Sequence, residues 1–419
     1  MGAVRFDVEY RGVRIPVIFE EDRRLPLASM ELVFEGAGAN SDTIPGVASL
    51  SASLLGEGSA KEGAEAFAEA LERRAVTLDA SVGRETMVVS MEALKSEFPF
   101  AISKLRELLS SPNYSEDAFS RVKKRRLGEL ERRRSDFDYV ASVGLREVLF
   151  SGTPLAHPRL GDEKSVEKIE LENLKEYIES HIYLDNLIVV MGGDFDREEA
   201  KSVVLEAISV LERGTPPKNL TYEARDINET KIVHEKSEQS YIYFGAPYHM
   251  SPDDENRTLG KVAAFILGSG GFGSRLMEKI RVEKGLAYSA YARFSVNRSG
   301  SYMSGYLQTK LESGDEAVAL VKSIVKEFVE KGVSRDELES ARKFFLGSEP
   351  LRMETLAQRM NRAFHEYYDG LGLGYYEKEL KKISSIGLDE INSFISSHRE
   401  IESMSWFIVT GSEDREEKR

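Results

Sequence analysis

Two blocks of this chain repeat, without a gap, at one constant spacing. Residues 115–128 line up with 334–347, and residues 187–192 with 406–411, both at a shift of 219 (334 − 115 and 406 − 187). Ile169-Glu170-Leu171, opening a helix, has an echo in Ile386-Gly387-Leu388. A repeat of about half of 419 residues reads as a duplicated domain, because single cores stop growing well below that length. The break falls at 214–219, GTPPKN, a run of turn formers, so domains are expected over 1–213 and 220–419.

Within each half, strands come first and helices follow. Alternating, β-rich runs over 4–19, turning at Arg11-Gly12, and over 27–35 predict three strands. Residues 76–94 hold two more around Gly83-Arg84-Glu85, and 186–192 is a buried strand. Helices are expected over 47–55, 60–74, 99–109, 115–134, 173–181 and 198–212. After the break, 220–226, 231–236 and 240–246 again read as strands. This order predicts an α+β fold of two homologous domains, each a mainly antiparallel sheet packed with helices.

Composition narrows the function. There is no cysteine, which excludes disulfides and thiolate metal sites. A net charge of −14 argues against nucleic acid as a partner. The basic run Lys123-Lys124-Arg125-Arg126, with Arg132-Arg133-Arg134, therefore reads as a helix face turned to something acidic. No secretory pattern and no membrane-length apolar run is visible, so the expected setting is cytoplasmic, with no membrane contact. Of six histidines, no two lie three or four residues apart, so no helix presents a histidine pair to a metal.

Residues 268–288, GSGGFGSRLMEKIRVEKGLAY, combine a glycine-rich turn, a helical run from Ser274 and a strand start. Ser274 is a candidate helix cap, and Gly285 suits a left-handed stop. The turn brings Arg281 near Tyr288. They are either a surface arginine beside a half-buried strand tyrosine, or a guanidinium and a phenol aimed at one point, which suits a developing oxyanion.

The same stretch resembles the second-domain signature of the pitrilysin/insulinase zinc metallopeptidases, in the branch that includes the mitochondrial processing peptidase. The first half resembles that family in Gly36-Ala37-Gly38, Pro45-Gly46-Val47-Ala48 and Glu57-Gly58-Ser59. Active members carry an inverted zinc motif, H-x-x-E-H, at this place. Here it reads Ser49-Leu50-Ser51-Ala52-Ser53, so both histidine ligands are serine and the general base is Ala52. The distal carboxylate ligand falls on Glu129, 76 residues after Ser53 (129 − 53). One carboxylate and two hydroxyls make no zinc site, so no metal is expected in this chain, and Glu129 reads as a solvated helix residue.

The resemblance implies a division of labour. A homologous subunit would carry zinc, and this chain would supply Arg281 and Tyr288 as catalytic contacts in a heterodimer acting on peptides. A homodimer, or an inert pseudo-peptidase that serves as a structural or peptide-binding subunit, stands as the alternative. The resemblance also implies substrate contacts at Gly268, Gly270, Gly271 and Gly273. It implies others along 77–81, TLDAS, through Leu78 and Ala80, by addition of an extended peptide to a sheet edge.

Overall fold

The computed structural model describes residues 2–216, 218 and 220–411, so the expected break at 214–219 lies partly outside the described residues. The alternating runs form two sheets. The first takes β1 (Val4–Tyr10), β2 (Val13–Glu21), β3 (Leu27–Glu35), β4 (Thr77–Val82), β5 (Thr86–Leu94) and β6 (Leu187–Gly193), in the order β1-β2-β6-β3-β5-β4. The second takes β7 (Thr230–Glu235), β8 (Gln239–Pro247), β9 (Ala287–Ser295), β10 (Tyr302–Lys310) and β11 (Ser405–Gly411), in the order β7-β11-β8-β10-β9. The topologies match strand for strand from β2 and β7 onward. Each sheet is antiparallel except for one pair, β2 with β6 and β7 with β11. The repeat lands on this pair, with Val189 opposite Val17 and Ile408, 219 residues on, opposite Ile232. The expected strand at 220–226 does not form. Its backbone is tied elsewhere, Tyr222 N to Ser299 O at 2.8 Å and Arg225 N to Leu149 O at 2.8 Å.

Strand alternation gives each sheet two apolar faces. One face of the first sheet, with Met30, Leu32, Phe34, Val89 and Met91, packs on helices of its own half, including Val47–Leu55 and Phe98–Ser110. The other, with Ile18, Val33, Ile188 and Val190, takes Met360 and Ala363 from helix Leu356–Tyr368, which belongs to the second half. The second sheet repeats the arrangement in reverse. Ile242, Phe244, Met303 and Trp406 face its own helices. Tyr302, Phe407 and Val409 face Ala141, Leu145, Val148 and Leu149 of helix Phe137–Phe150, from the first half. Each half thus lends one helix to the back of the other's sheet. The two surfaces approach so closely that a Cβ at Gly144 would stand 2.3 Å from the Phe407 ring.

Polar ties cross the same junction. Arg298 pairs with Glu35 at 2.6 Å, and Arg359 with Glu20 at 2.5 Å and Asp22 at 2.6 Å. Among the described residues, no helix is long and apolar enough to cross a membrane.

Candidate functional site

The buried helix Val47–Leu55 enters the first core behind Asp42, whose carboxylate accepts from Gly46 N at 2.7 Å and Ala48 N at 2.8 Å. Ser49 and Ser53 face helix Glu116–Arg133, which Ser115 caps by accepting from Ala118 N at 3.2 Å. The residue that joins the two helices is Arg126, its side chain 9% exposed. Its guanidinium donates to Ser49 Oγ at 2.9 Å, Ser53 Oγ at 3.4 Å and the Leu160 carbonyl at 3.3 Å. Its Nε lies 3.3 Å from Glu129 Oε2. One cation therefore touches all three positions that the resemblance assigns to metal ligands. Burial lowers its pKa against the attraction of Glu129.

These residues do not suit zinc. Two hydroxyls are poor ligands, and the carboxylate is shared between Arg126 and Arg133, at 3.0 Å from the latter. A metal ion here would also face a buried guanidinium. Glu129 is accordingly an ion-pair hub rather than the solvated residue expected from its basic surroundings.

Part of the rest of the basic run is spent internally as well. Arg121 and Arg125 both reach Glu57, at 2.9 and 3.4 Å, and Lys123 donates to the carbonyls of Glu167 and Ile169. Glu57, Glu129 and Glu163 offset part of this helix's positive charge, while Lys124 and Arg132 have no carboxylate within ion-pair distance among the described residues.

In the second half, the glycine-rich stretch is held between two π-helical segments, Phe265–Ser269 and Met277–Glu283. Such wide turns shift the side chains that follow and recur at functional sites. Arg275 anchors the second segment through Glu337 at 2.5 Å and the Gly332 carbonyl at 2.6 Å. Ser274 does not cap the helix. Its hydroxyl turns back and donates to the Gly271 carbonyl at 2.8 Å, because the tight turn before it brings that oxygen nearest. Gly285 stops the helix with φ +62°, its N–H on Arg281 O at 3.1 Å.

The stop folds Arg281 against Tyr288, its Cζ 4.5 Å from the ring centroid. Phe272, from the glycine turn, places its ring centroid 4.7 Å from the same Cζ. Tyr288 is 81% exposed and Phe272 72%, so the tyrosine is not half-buried. Among the described residues, Arg281 has no carboxylate partner. The guanidinium lies against two aromatic rings, with no carboxylate to neutralise it among the described residues.

A protein of Helicobacter pylori named non-peptidase homolog YmxG is 41% identical over 403 residues, covering 96% of this chain and 93% of its own. The chain belongs to the peptidase M16, or insulinase, family. Residues 17–163 match insulinase (peptidase family M16), and residues 168–345 match the peptidase M16 inactive domain. The M16 fold is shared with a peptidase M16 inactive domain from Pseudomonas fluorescens, with a TM-score of 0.90, 23% identity and coverage of 98% of this chain and 99% of that one. A protease from Helicobacter pylori also shares it, with a TM-score of 0.83 at 13% identity, covering 97% and 100%.

The remaining expected substrate positions divide by cause. A Cβ on Gly268 would meet Ala292 N at 2.3 Å, and one on Gly270 would meet the Phe265 carbonyl at 2.7 Å, so packing alone requires both glycines. Gly271 and Gly273 adopt φ +64° and +93° with open space around them. Leu78 and Ala80 turn inward against the first core. Their strand, β4, pairs only with β5 and leaves its other backbone edge unpaired within the sheet.

Sequence spacing alone does not signal Arg126 or Phe272. Arg126 lies within a basic run, and Phe272 lies within a glycine turn.

Proposed function

We propose that this chain is a non-hydrolytic M16 subunit that lends Arg281 and Tyr288 to a zinc-bearing homologue, the two together forming a heterodimeric peptidase. The observation that carries this reading is the half-buried Arg281 guanidinium, set against two rings and without a carboxylate partner among the described residues, beside an exposed phenol. Arg281 would orient and polarise the carbonyl of the peptide to be cut. The Tyr288 hydroxyl would donate to the oxyanion that develops there. The missing base at Ala52, Arg126 at the degenerate metal position and the name of the Helicobacter relative all support a chain that does not hydrolyse peptides alone. The backbone of Gly271 and Gly273 and the free edge of β4 would serve the extended substrate.

A scaffold role is the second reading. It is favoured by the stack itself, since two rings packed on Arg281 form a stable arrangement with no substrate present.

The test is reconstitution with a homologue carrying an intact H-x-x-E-H, assayed on a quenched peptide with assembly measured separately. Tyr288→Phe in the intact complex should lower kcat by about a hundred- to a thousandfold. Unchanged turnover in the intact complex would remove the oxyanion role and leave the scaffold.

A further inference from the structure

Half-buried arginines in this protein have carboxylate partners almost everywhere. Arg275 has Glu337, Arg298 has Glu35, Arg359 has Glu20 and Asp22, and Arg362 has Glu349, all within 2.7 Å. A cavity of about 390 Å³ where the two halves meet breaks this pattern. Arg84 enters it from the turn between β4 and β5, Arg146 from the exchanged helix Phe137–Phe150, and Arg293 from β9. Among the described residues, none of the three has a carboxylate within ion-pair distance. Arg84 donates to the His157 carbonyl, at 2.7 Å, and Arg146 to the Tyr302 hydroxyl, at 3.0 Å. The one lining acid, Glu85, is already held by Ser299 N at 2.6 Å and the Tyr368 hydroxyl at 3.0 Å.

The electrostatics agree with the geometry. Burial pushes the Arg84 guanidinium down to about 10, and the charge of Arg146 pushes it the same way. Burial would raise the Tyr302 phenol, yet Arg146 and Arg293 hold it below its ordinary value. Three converging cations, with Glu85 as the single acid among the lining residues and Asp42 acting on Arg84 only from beyond ion-pair distance, are costly to keep in a concave, partly desolvated place. In a chain of net charge −14 they also form a local positive focus that an anion would relieve.

We propose that this cavity binds a carboxylate of an acidic peptide. Guanidinium forks match carboxylates in a two-pronged geometry. The strand carrying Arg293 supports a peptide over a free small anion. Among the described residues β9 pairs with no strand but β10, so one of its edges is free of strand pairing, as addition of an extended ligand requires. The site needs neither Arg281 nor Tyr288 and stands whether or not the chain serves a peptidase.

Fluorescence anisotropy with a labelled tetraglutamate peptide tests it, with tetraglutamine and tetralysine analogues as controls. The tetraglutamate peptide should bind in preference to both, and more weakly as salt rises. Arg293→Gln, on an exposed side chain, should weaken binding by about tenfold, as losing one charge-assisted hydrogen bond does. Arg146→Gln should do the same, and Lys124→Gln on the basic helix should have no effect. Equal binding of the glutamate and glutamine peptides, or unchanged affinity in Arg293→Gln, would overturn the site. Inorganic phosphate binding as tightly as the peptide would overturn the peptide assignment.

Discussion

Arg126 offers the sharpest perturbation in this protein. Arg126→Met deletes the charge and keeps an apolar stem in the helix. Ser53 retains its hydrogen bond to the Ser49 carbonyl at 2.9 Å, and Glu129 retains Arg133 at 3.0 Å. Ser49 Oγ and the Leu160 carbonyl are left without the guanidinium that donates to them. Hydrogen bonds to a charged group contribute about 1.5–3 kcal/mol each, and relief from burying the charge offsets part of that. A net loss of about 2 kcal/mol follows, which lowers the melting temperature of a domain this size by about 4–8 °C. Calorimetry reads it directly. A second arm uses metal analysis after dialysis. Restoring the family motif with Ser49→His, Ala52→Glu and Ser53→His should give no tightly held zinc while Arg126 remains, and about one zinc per chain once Arg126→Met is added. A melting temperature at or above that of the unaltered protein would show the guanidinium to be dispensable. Tight zinc in the triple variant with Arg126 in place would show that it does not occupy the metal's position.

Three further outcomes are expected. Phe272→Ala should lower kcat/KM of the reconstituted complex by about two- to fivefold, the worth of one exposed cation–π face, with Phe272→Tyr restoring it; no change would detach Phe272 from the positioning of Arg281. Gly144→Ala should destabilise by about 1–3 kcal/mol in urea, because its Cβ collides with Phe407, and Phe407→Leu should recover most of the loss. Burial pushes the Asp42 carboxyl up to about 6 against its two backbone N–H bonds, so between about pH 4 and 6 the folded state holds a proton that the unfolded chain has released. Stability should therefore fall as pH rises through that window. Asp42→Asn should flatten the slope, and parallel curves for the two proteins would contradict the shift.

The sequence disclosed different parts of the molecule to different degrees. β3 and helix Val47–Leu55 fall where the pattern puts them, because a β-rich run with partial alternation and a run of small apolar residues leave little choice. The repeat accounts for the two sheets sharing one topology, but it does not disclose their strand order or the parallel pair that each contains. Helices Phe137–Phe150 and Leu356–Tyr368 are another matter. Their apolar faces are written in the chain, but nothing local says that each covers the other half's sheet. The Arg281–Tyr288 approach was legible, because a seven-residue spacing across a glycine stop fixes it. Arg126 was not, because a basic run looks like a solvated face until a buried helix is known to lie beside it. The strand expected at 220–226 failed for a related reason, its backbone being claimed by a loop and a helix end that no local pattern reveals.

Arg126 also bears on how the two halves communicate. A bound metal contributes folding energy only while it is bound. A tethered guanidinium has no dissociation equilibrium, so the helices it joins are clamped in every copy of the chain. Helix Glu116–Arg133 runs, after three residues, into Phe137–Phe150, which covers the back of the second sheet and carries Arg146 into the junction cavity. Loosening the clamp should therefore be felt beyond the first half. In hydrogen exchange, Arg126→Met should speed exchange in helix Phe137–Phe150 and in β11, whose Phe407 and Val409 pack against it, as well as in Val47–Leu55. The second sheet's own helices, such as Gly314–Lys331, should be unaffected, because they pack on its other face. Exchange changes confined to residues 47–133 would mean that the clamp is local and that the exchanged helix is held by its apolar packing alone.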